Sequence, residues 1–224
     1  KFVVAYKNRY GDGSSTHTAV CKVGTLQGDH SIIFGSTIVR STAGVEGHTL
    51  IYDEASGKTI HVSEDVSGSA GNSVACGVHS GTDATATIAF GTDVNFTGGV
   101  TGFNIQGVYD SSAEQNLLFW KNTSAPYYWH LKSAKVSGTT MTLGTTVTGA
   151  IDGGTWSDFS GIAYDSVVKK SILTPTDDNG SFGFGMIAHF NVDNITIDLA
   201  TGNFFEFDNI EYNIKQITVS NVPA

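Results

Sequence analysis

A Tyr-Asp step closes a short apolar run at near-equal intervals along this chain. It stands at Leu50-Ile51-Tyr52-Asp53, Gly107-Val108-Tyr109-Asp110 and Ile162-Ala163-Tyr164-Asp165, with a worn copy at Ile217-Thr218-Val219-Ser220. The steps are 57, 55 and 55 residues. A second anchor, a large apolar residue followed by a small one, recurs as Phe34-Gly35, Phe90-Gly91, Leu143-Gly144 and Leu199-Ala200, with steps of 56, 53 and 56. Two anchors in one phase divide the 224 residues into four copies, at about 1–57, 58–115, 116–170 and 171–224.

Within each copy the apolar residues come in short runs rich in Val, Ile, Thr, Phe and Tyr, separated by Gly, Asn, Asp and Ser clusters. That is the pattern of strands and turns, and no sustained helical period accompanies it. In the first copy strands are expected over residues 2–7, 18–24, 31–39 and 48–53. The links after Tyr-Asp, such as Glu54-Ala55-Ser56-Gly57, are short enough to be hairpin turns, so the sheets are expected to be antiparallel. Four-stranded antiparallel units at this period are what β-propeller blades present, whereas solenoid coils repeat at shorter intervals. The expectation is an all-β chain: a single β-propeller domain over 1–224, with four four-stranded blades and about sixteen strands. Four residues follow Ser220, as four residues follow Asp53 before the next strand begins. The strand around 215–220 is therefore expected to pair with residues 2–7 and close the ring, removing two sheet edges.

The composition suits this reading, with 27 glycines and only 15% charged residues. Twelve basic against 21 acidic residues give a formal charge of −9, a field that repels nucleic-acid phosphates and anionic headgroups. No nucleic-acid partner is expected. No run approaches the ~20 apolar residues of a membrane-spanning helix, so no membrane insertion is expected either. Cys21 and Cys76 occur in similar contexts, Ala19-Val20-Cys21 and Val74-Ala75-Cys76, and read as two buried free thiols at equivalent positions of successive copies.

The run Val3-Val4-Ala5-Tyr6-Lys7-Asn8, followed by Thr18-Ala19-Val20, Val23-Gly24-Thr25 and Ile32-Ile33-Phe34-Gly35-Ser36, resembles tandem β-propeller-type repeats of marine phage tail-fibre and aquatic microbial surface proteins. The likeness is clearest over 1–57, fair over 58–115 and eroded beyond, where Tyr6 is replaced by Trp120 and then Pro175. It implies a propeller-like module of an extracellular or virion appendage that attaches to a cell surface. Its motifs mark strands and turns, and it assigns no functional residue.

Catalytic and metal signatures are sparse. A sialidase holds its substrate carboxylate with three arginines, and the chain has two, Arg9 and Arg40. The segment Thr176-Asp177-Asp178-Asn179-Gly180 begins like an Asp-box but lacks its aromatic residue. Asp177 and Asp178 there form the one candidate for Ca²⁺, without the bidentate acid that an EF-type loop requires at its twelfth position. The seven histidines show no zinc spacing. No cofactor is expected. Two carboxyl groups suffice for a glycosidase, and 21 acids leave glycoside hydrolysis open as the enzymatic alternative.

One segment stands apart. Pro126-Tyr127-Tyr128-Trp129-His130 places three aromatics where the first copy is small and polar, and Trp156 follows a Gly-Gly pair in another loop. Aromatic faces stack on sugars and anchor interfaces, so Tyr127, Tyr128, Trp129, His130 and Trp156 are the candidate binding residues. Four sequons, at Asn95, Asn122, Asn179 and Asn194, are candidate N-glycosylation sites in a secreted setting. The expected function is non-enzymatic. It is a structural or adhesive module at an extracellular or virion surface, with a cell-surface glycan or protein, or other subunits of an appendage, as partner. The alternatives are a soluble carbohydrate-binding lectin and, behind it, the glycosidase.

Overall fold

The computed structural model describes residues 1–9, 17–41, 45–65, 73–98, 102–122, 128–149, 156–177, 183–190, 197–199 and 205–208. Among these the chain is all-β, with one short 3-10 turn at Asp83–Thr85 and no α-helix. Four antiparallel sheets follow one another along the sequence. The first contains β1 (Phe2–Arg9), β2 (His17–Leu26), β3 (Ile32–Phe34) and β4 (Ile38–Ser41). The second contains β5 (Val45–Asp53), β6 (Lys58–Asp65), β7 (Ser73–Ser80), β8 (Thr87–Phe90) and β9 (Val94–Asn95). The third is β10 (Gly102–Asp110), β11 (Gln115–Asn122), β12 (Trp129–Ser137) and β13 (Thr140–Gly149). The fourth is β14 (Trp156–Asp165), β15 (Lys170–Asp177), β16 (Gly183–Phe190), β17 (Ile197–Leu199) and β18 (Phe205–Asp208).

The last strand of the first, second and fourth sheets is broken in two: β3 and β4 both pair with β2, β8 and β9 with β7, and β17 and β18 with β16. The second anchor lies at the break in the first two sheets. At Gly35 a Cβ would stand 1.7 Å from the Ala86 carbonyl oxygen of the second sheet, and at Gly91 one would stand 2.1 Å from that of Thr139. Ala86 and Thr139 each lie five residues before the next anchor glycine, so the same sheet-to-sheet approach is made twice, one copy apart. In the third sheet β13 runs unbroken through Gly144. Counting each broken strand once leaves fifteen of the sixteen expected strands, and the sixteenth, at 215–220, lies outside the described residues.

The Tyr-Asp anchor is turn chemistry. Asp53 Oδ1 accepts from the Ser56 amide at 2.9 Å, Asp110 Oδ1 from the Ser112 and Ala113 amides at 2.8 and 3.0 Å, and Asp165 Oδ1 from the Val167 and Val168 amides at 2.8 and 3.1 Å. Each turn ends on a residue in the left-handed region: Gly57 (φ 65°), Glu114 (φ 51°) and Lys169 (φ 56°). Tyr164 reaches across to the preceding hairpin, where its hydroxyl accepts from the Ser112 amide at 3.3 Å. Each Tyr-Asp strand also carries a register shift, at 45–48, 103–106 and 156–160.

Contacts divide the chain into two units. One contains residues 1–101 and 136–141, the other 102–135 and 142–224. In the first unit Cys21 and Val23 of the first sheet pack against Ala86 and Ile88 of the second, flanked by Val3, Ala5, Ile38 and Phe90. In the second unit Leu117, Phe119, Trp129 and Leu131 pack against Leu173 and Ala188 of the fourth sheet.

Both cysteines are free and buried, as their composition suggests. Their equivalence is displaced by two residues: Gly35 donates to the Val23 carbonyl and Gly91 to the Cys76 carbonyl, so Cys76 corresponds to Val23. A shift of two keeps the side chain on the same face, which is why both thiols point inward.

Two predictions follow from this geometry. Gly35→Ala should destabilise by about 1–3 kcal/mol through backbone overlap with Ala86, while Gly28→Ala, with open space around it, should not, as chemical denaturation will show. Lys169→Gly should raise stability by up to about 1 kcal/mol, because glycine adopts the left-handed turn conformation without the Cβ clash.

Candidate functional site

The first sheet differs from the other three in one face and one edge. Sheets two, three and four each begin with a Tyr-Asp strand, β5, β10 or β14, whereas among the described residues β1 pairs only with β2. β1 corresponds to β6, β11 and β15, and the match is fixed by the glycine-to-carbonyl bonds and by the four-residue turns. At the positions of Phe2, Val4 and Tyr6 the second sheet has Thr59, His61 and Ser63, the third Asn116, Leu118 and Trp120, and the fourth Ser171 and Leu173. These eight are at most 5% exposed, the ninth counterpart, Pro175, having its side chain outside the described residues, while Phe2, Val4 and Tyr6 are 36–37% exposed. Val3 and Ala5 point the other way, into the packing with the second sheet. Phe34 lies edge-on to Phe2 with ring centroids 5.9 Å apart, and with Val39 it extends the same open apolar surface.

Beside the free edge is a cavity of about 650 Å³ lined by Lys1, Phe2, Leu50, Tyr52, Thr59 and His79 among others. Tyr52 is 57% exposed there, in contrast to its counterpart Tyr164, which is 8% exposed and bonded to a preceding hairpin. Thr59 Oγ1 and His79 Nε2 are 2.8 Å apart. Burial, and then the charge of Lys1, hold the His79 imidazole below its ordinary pKa, so it is a neutral hydrogen-bonding group at neutral pH. This arrangement suits an extended strand: among the described residues β1 pairs with no strand but β2, and an apolar wall lies beside it.

The aromatic segment is arranged differently from the expectation of an exposed patch. Trp129 is 3% exposed and belongs to the core with Leu117 and Leu131, so its ring has no free face for a sugar. His130 stacks on Trp120 at 5.1 Å and pairs with Thr148 Oγ1 at 2.9 Å; burial, then Lys132, depress its pKa. Tyr128 is half-buried, and Tyr127 lies outside the described residues. The backbones of Trp156 and Asp177 are opposite each other in the β14–β15 pairing, but their side chains are outside the described residues, as is Asp178. No group of three or more potential metal ligands is found among the described residues. Asn95 is exposed and its Oδ1 accepts from the Thr97 and Gly98 amides, while Asn122 ends β11 and Asn179 and Asn194 lie outside the described residues.

No family model matches the chain, and no curated protein matches it.

The thiols yield a prediction. Burial raises Cys21 to about 11, with Arg40 opposing, and burial also raises Cys76. The thiolate is the reactive form, so at pH 8 both cysteines should react with a disulfide reagent far more slowly in the folded protein than in denaturant. Rapid stoichiometric labelling of the native chain would contradict their placement.

Proposed function

We propose that the chain is a four-bladed β-propeller module of an extracellular or virion appendage, closed by its own last strand, and that it works by surface contact rather than catalysis. The observation that carries the closure is the open face of the first sheet: Phe2, Val4 and Tyr6 stand exposed where the eight counterparts with described side chains are buried. The repeated backbone approach at Gly35 and Gly91 supports sheets stacked in one sense around a centre, as blades are. In such a ring the fourth sheet covers Phe2, Val4 and Tyr6, and residues 215–220 fill the edge of β1.

The assignment to an appendage rests on the resemblance, which is clearest over residues 1–57. A contact role agrees with the use of the anchoring carboxylates: Asp53, Asp110 and Asp165 each hold a hairpin turn. The partner is a cell-surface glycan or protein, or another subunit of the appendage.

Deleting residues 214–224 should lower the melting temperature by about 10 °C or more, since several kcal/mol of strand pairing and apolar cover are lost. An unchanged melting temperature sinks the closed ring. The whole chain, applied to a glycan array and to intact cells, should bind without releasing reducing sugar; turnover of a glycan would move the reading to a glycosidase.

A further inference from the structure

We propose that the packing of the first sheet against the second is an acid-labile seam, opened by protonation of the fully buried His61 and the half-buried His48 beside Arg40. The positions concerned are apolar in the next copy. Counting from the anchors, Arg40 corresponds to Phe96, His48 to Ile105 and His61 to Leu118, which are 0%, 4% and 0% exposed. Three side chains that carry or accept charge thus occupy a place shaped for hydrocarbon.

Their contacts tie the two sheets together. Arg40, on β4, forms a two-pronged ion pair with Asp93, beyond β8, in which Nη1 is 2.8 Å from Oδ2. Its guanidinium lies 5.1 Å from the ring centroid of Phe90, and its side chain is only 5% exposed. His48, on β5, hydrogen-bonds the Ala5 backbone of β1. His61, on β6, is fully buried, with its ring 5.6 Å from that of His48 and 5.8 Å from that of Phe90. Neither ring nitrogen of His61 has a hydrogen-bond partner, and neither has Nδ1 of His48 or Nε of Arg40.

Adding a proton to His61 places a buried cation beside a guanidinium. Burial first, then the charges of Arg40 and His48, push the His61 pKa down to about 3; Asp93 opposes this. Burial and then Lys7 lower that of His48. Arg40 from β4, His48 from β5, Lys7 from β1 and Asp93 from the segment after β8 are the charged and titratable groups in this balance. The folded state thus binds fewer protons than the unfolded chain. Stability is complete above about pH 6.5, the ordinary imidazole value, and falls as pH drops from there towards 3. The linked change in the unfolding equilibrium from His61 alone is about tenfold per pH unit within that window.

The third and fourth sheets supply the control residue, because Leu118 and Leu173 stand at the position of His61. Unfolding of the whole chain and of His61→Leu would be followed by denaturant titration from pH 7.5 to 4. The wild type should lose stability below pH 6.5 with a slope steeper than the variant's by about tenfold per pH unit. Parallel profiles overturn the proposal. Hydrogen exchange of the wild type locates the effect: at pH 5 the amides of β4, β5 and β6 should lose protection before those of β11 and β15. Uniform loss across the sheets overturns the seam. If His61→Leu does not fold, the wild-type imidazole resonance still decides, because a midpoint near 6.5 in the folded protein contradicts burial of a neutral ring.

Discussion

The close passage of one sheet's backbone past the next, at Gly35 and again at Gly91, is the constraint on which the rest of the structure depends. With a Cβ position 1.7 Å from the Ala86 oxygen, only glycine permits the approach. The approach in turn sets how near the two sheet faces come. Between the first and second sheets it leaves room for small and medium side chains, and Cys21, Val23, Ala86 and Ile88 fill it. A wider separation would leave voids along these residues, and voids remove dispersion contacts outright.

The Tyr-Asp step acts on the same spacing from the other end of the strand. Its carboxylate fixes the turn by accepting amide hydrogens two and three residues on, which sets the register of the hairpin. Its tyrosine leaves the sheet: Tyr164 runs from β14 to the Ser112 amide in the β10–β11 hairpin. At Tyr164-Asp165 one dipeptide thus specifies a turn within a sheet and a contact to the sheet before it. The turn is the part of this duty that all three copies share, through Asp53, Asp110 and Asp165.

The features legible in the sequence are those where a single residue type meets a geometric demand. Glycine at a close approach and aspartate at a turn recur in phase, so the all-β character and the antiparallel sheets could be read. Strand interiors are less specific. Tyr128-Trp129-His130 reads as an aromatic cluster, yet β12 begins at Trp129 and alternates, so Trp129 and Leu131 turn inward while His130 lies on the opposite face against Trp120. The two cysteines illustrate the same parity: a two-residue error in their alignment leaves the inward direction unchanged. The break in the edge strand was not legible, because Gly35-Ser36-Thr37 in the first sheet and Leu143-Gly144-Thr145 in the unbroken β13 differ little in local preference. The open face of the first sheet was not legible either, since Phe2, Val4 and Tyr6 look like ordinary core residues until their counterparts are seen buried.

Degenerate repeats carry their own comparison, because each seam is a variant of the others on one scaffold. The packing of the third sheet on the fourth is built from Leu117, Phe119, Trp129, Leu131, Leu173 and Ala188, in which the large aromatics remove much apolar area from water. The packing of the first on the second has smaller apolar residues and, beside them, Arg40, His48 and His61 with ring and guanidinium nitrogens left without partners. A buried polar atom without a partner costs about 1–3 kcal/mol, whereas a buried leucine at the same position contributes favourably. The seams are therefore unequal by sequence, and the first is the weaker. Sheets joined by unequal packings do not loosen evenly: they part where desolvated polar groups meet the least apolar surface, so of these two packings the one at the β4–β5 boundary gives first.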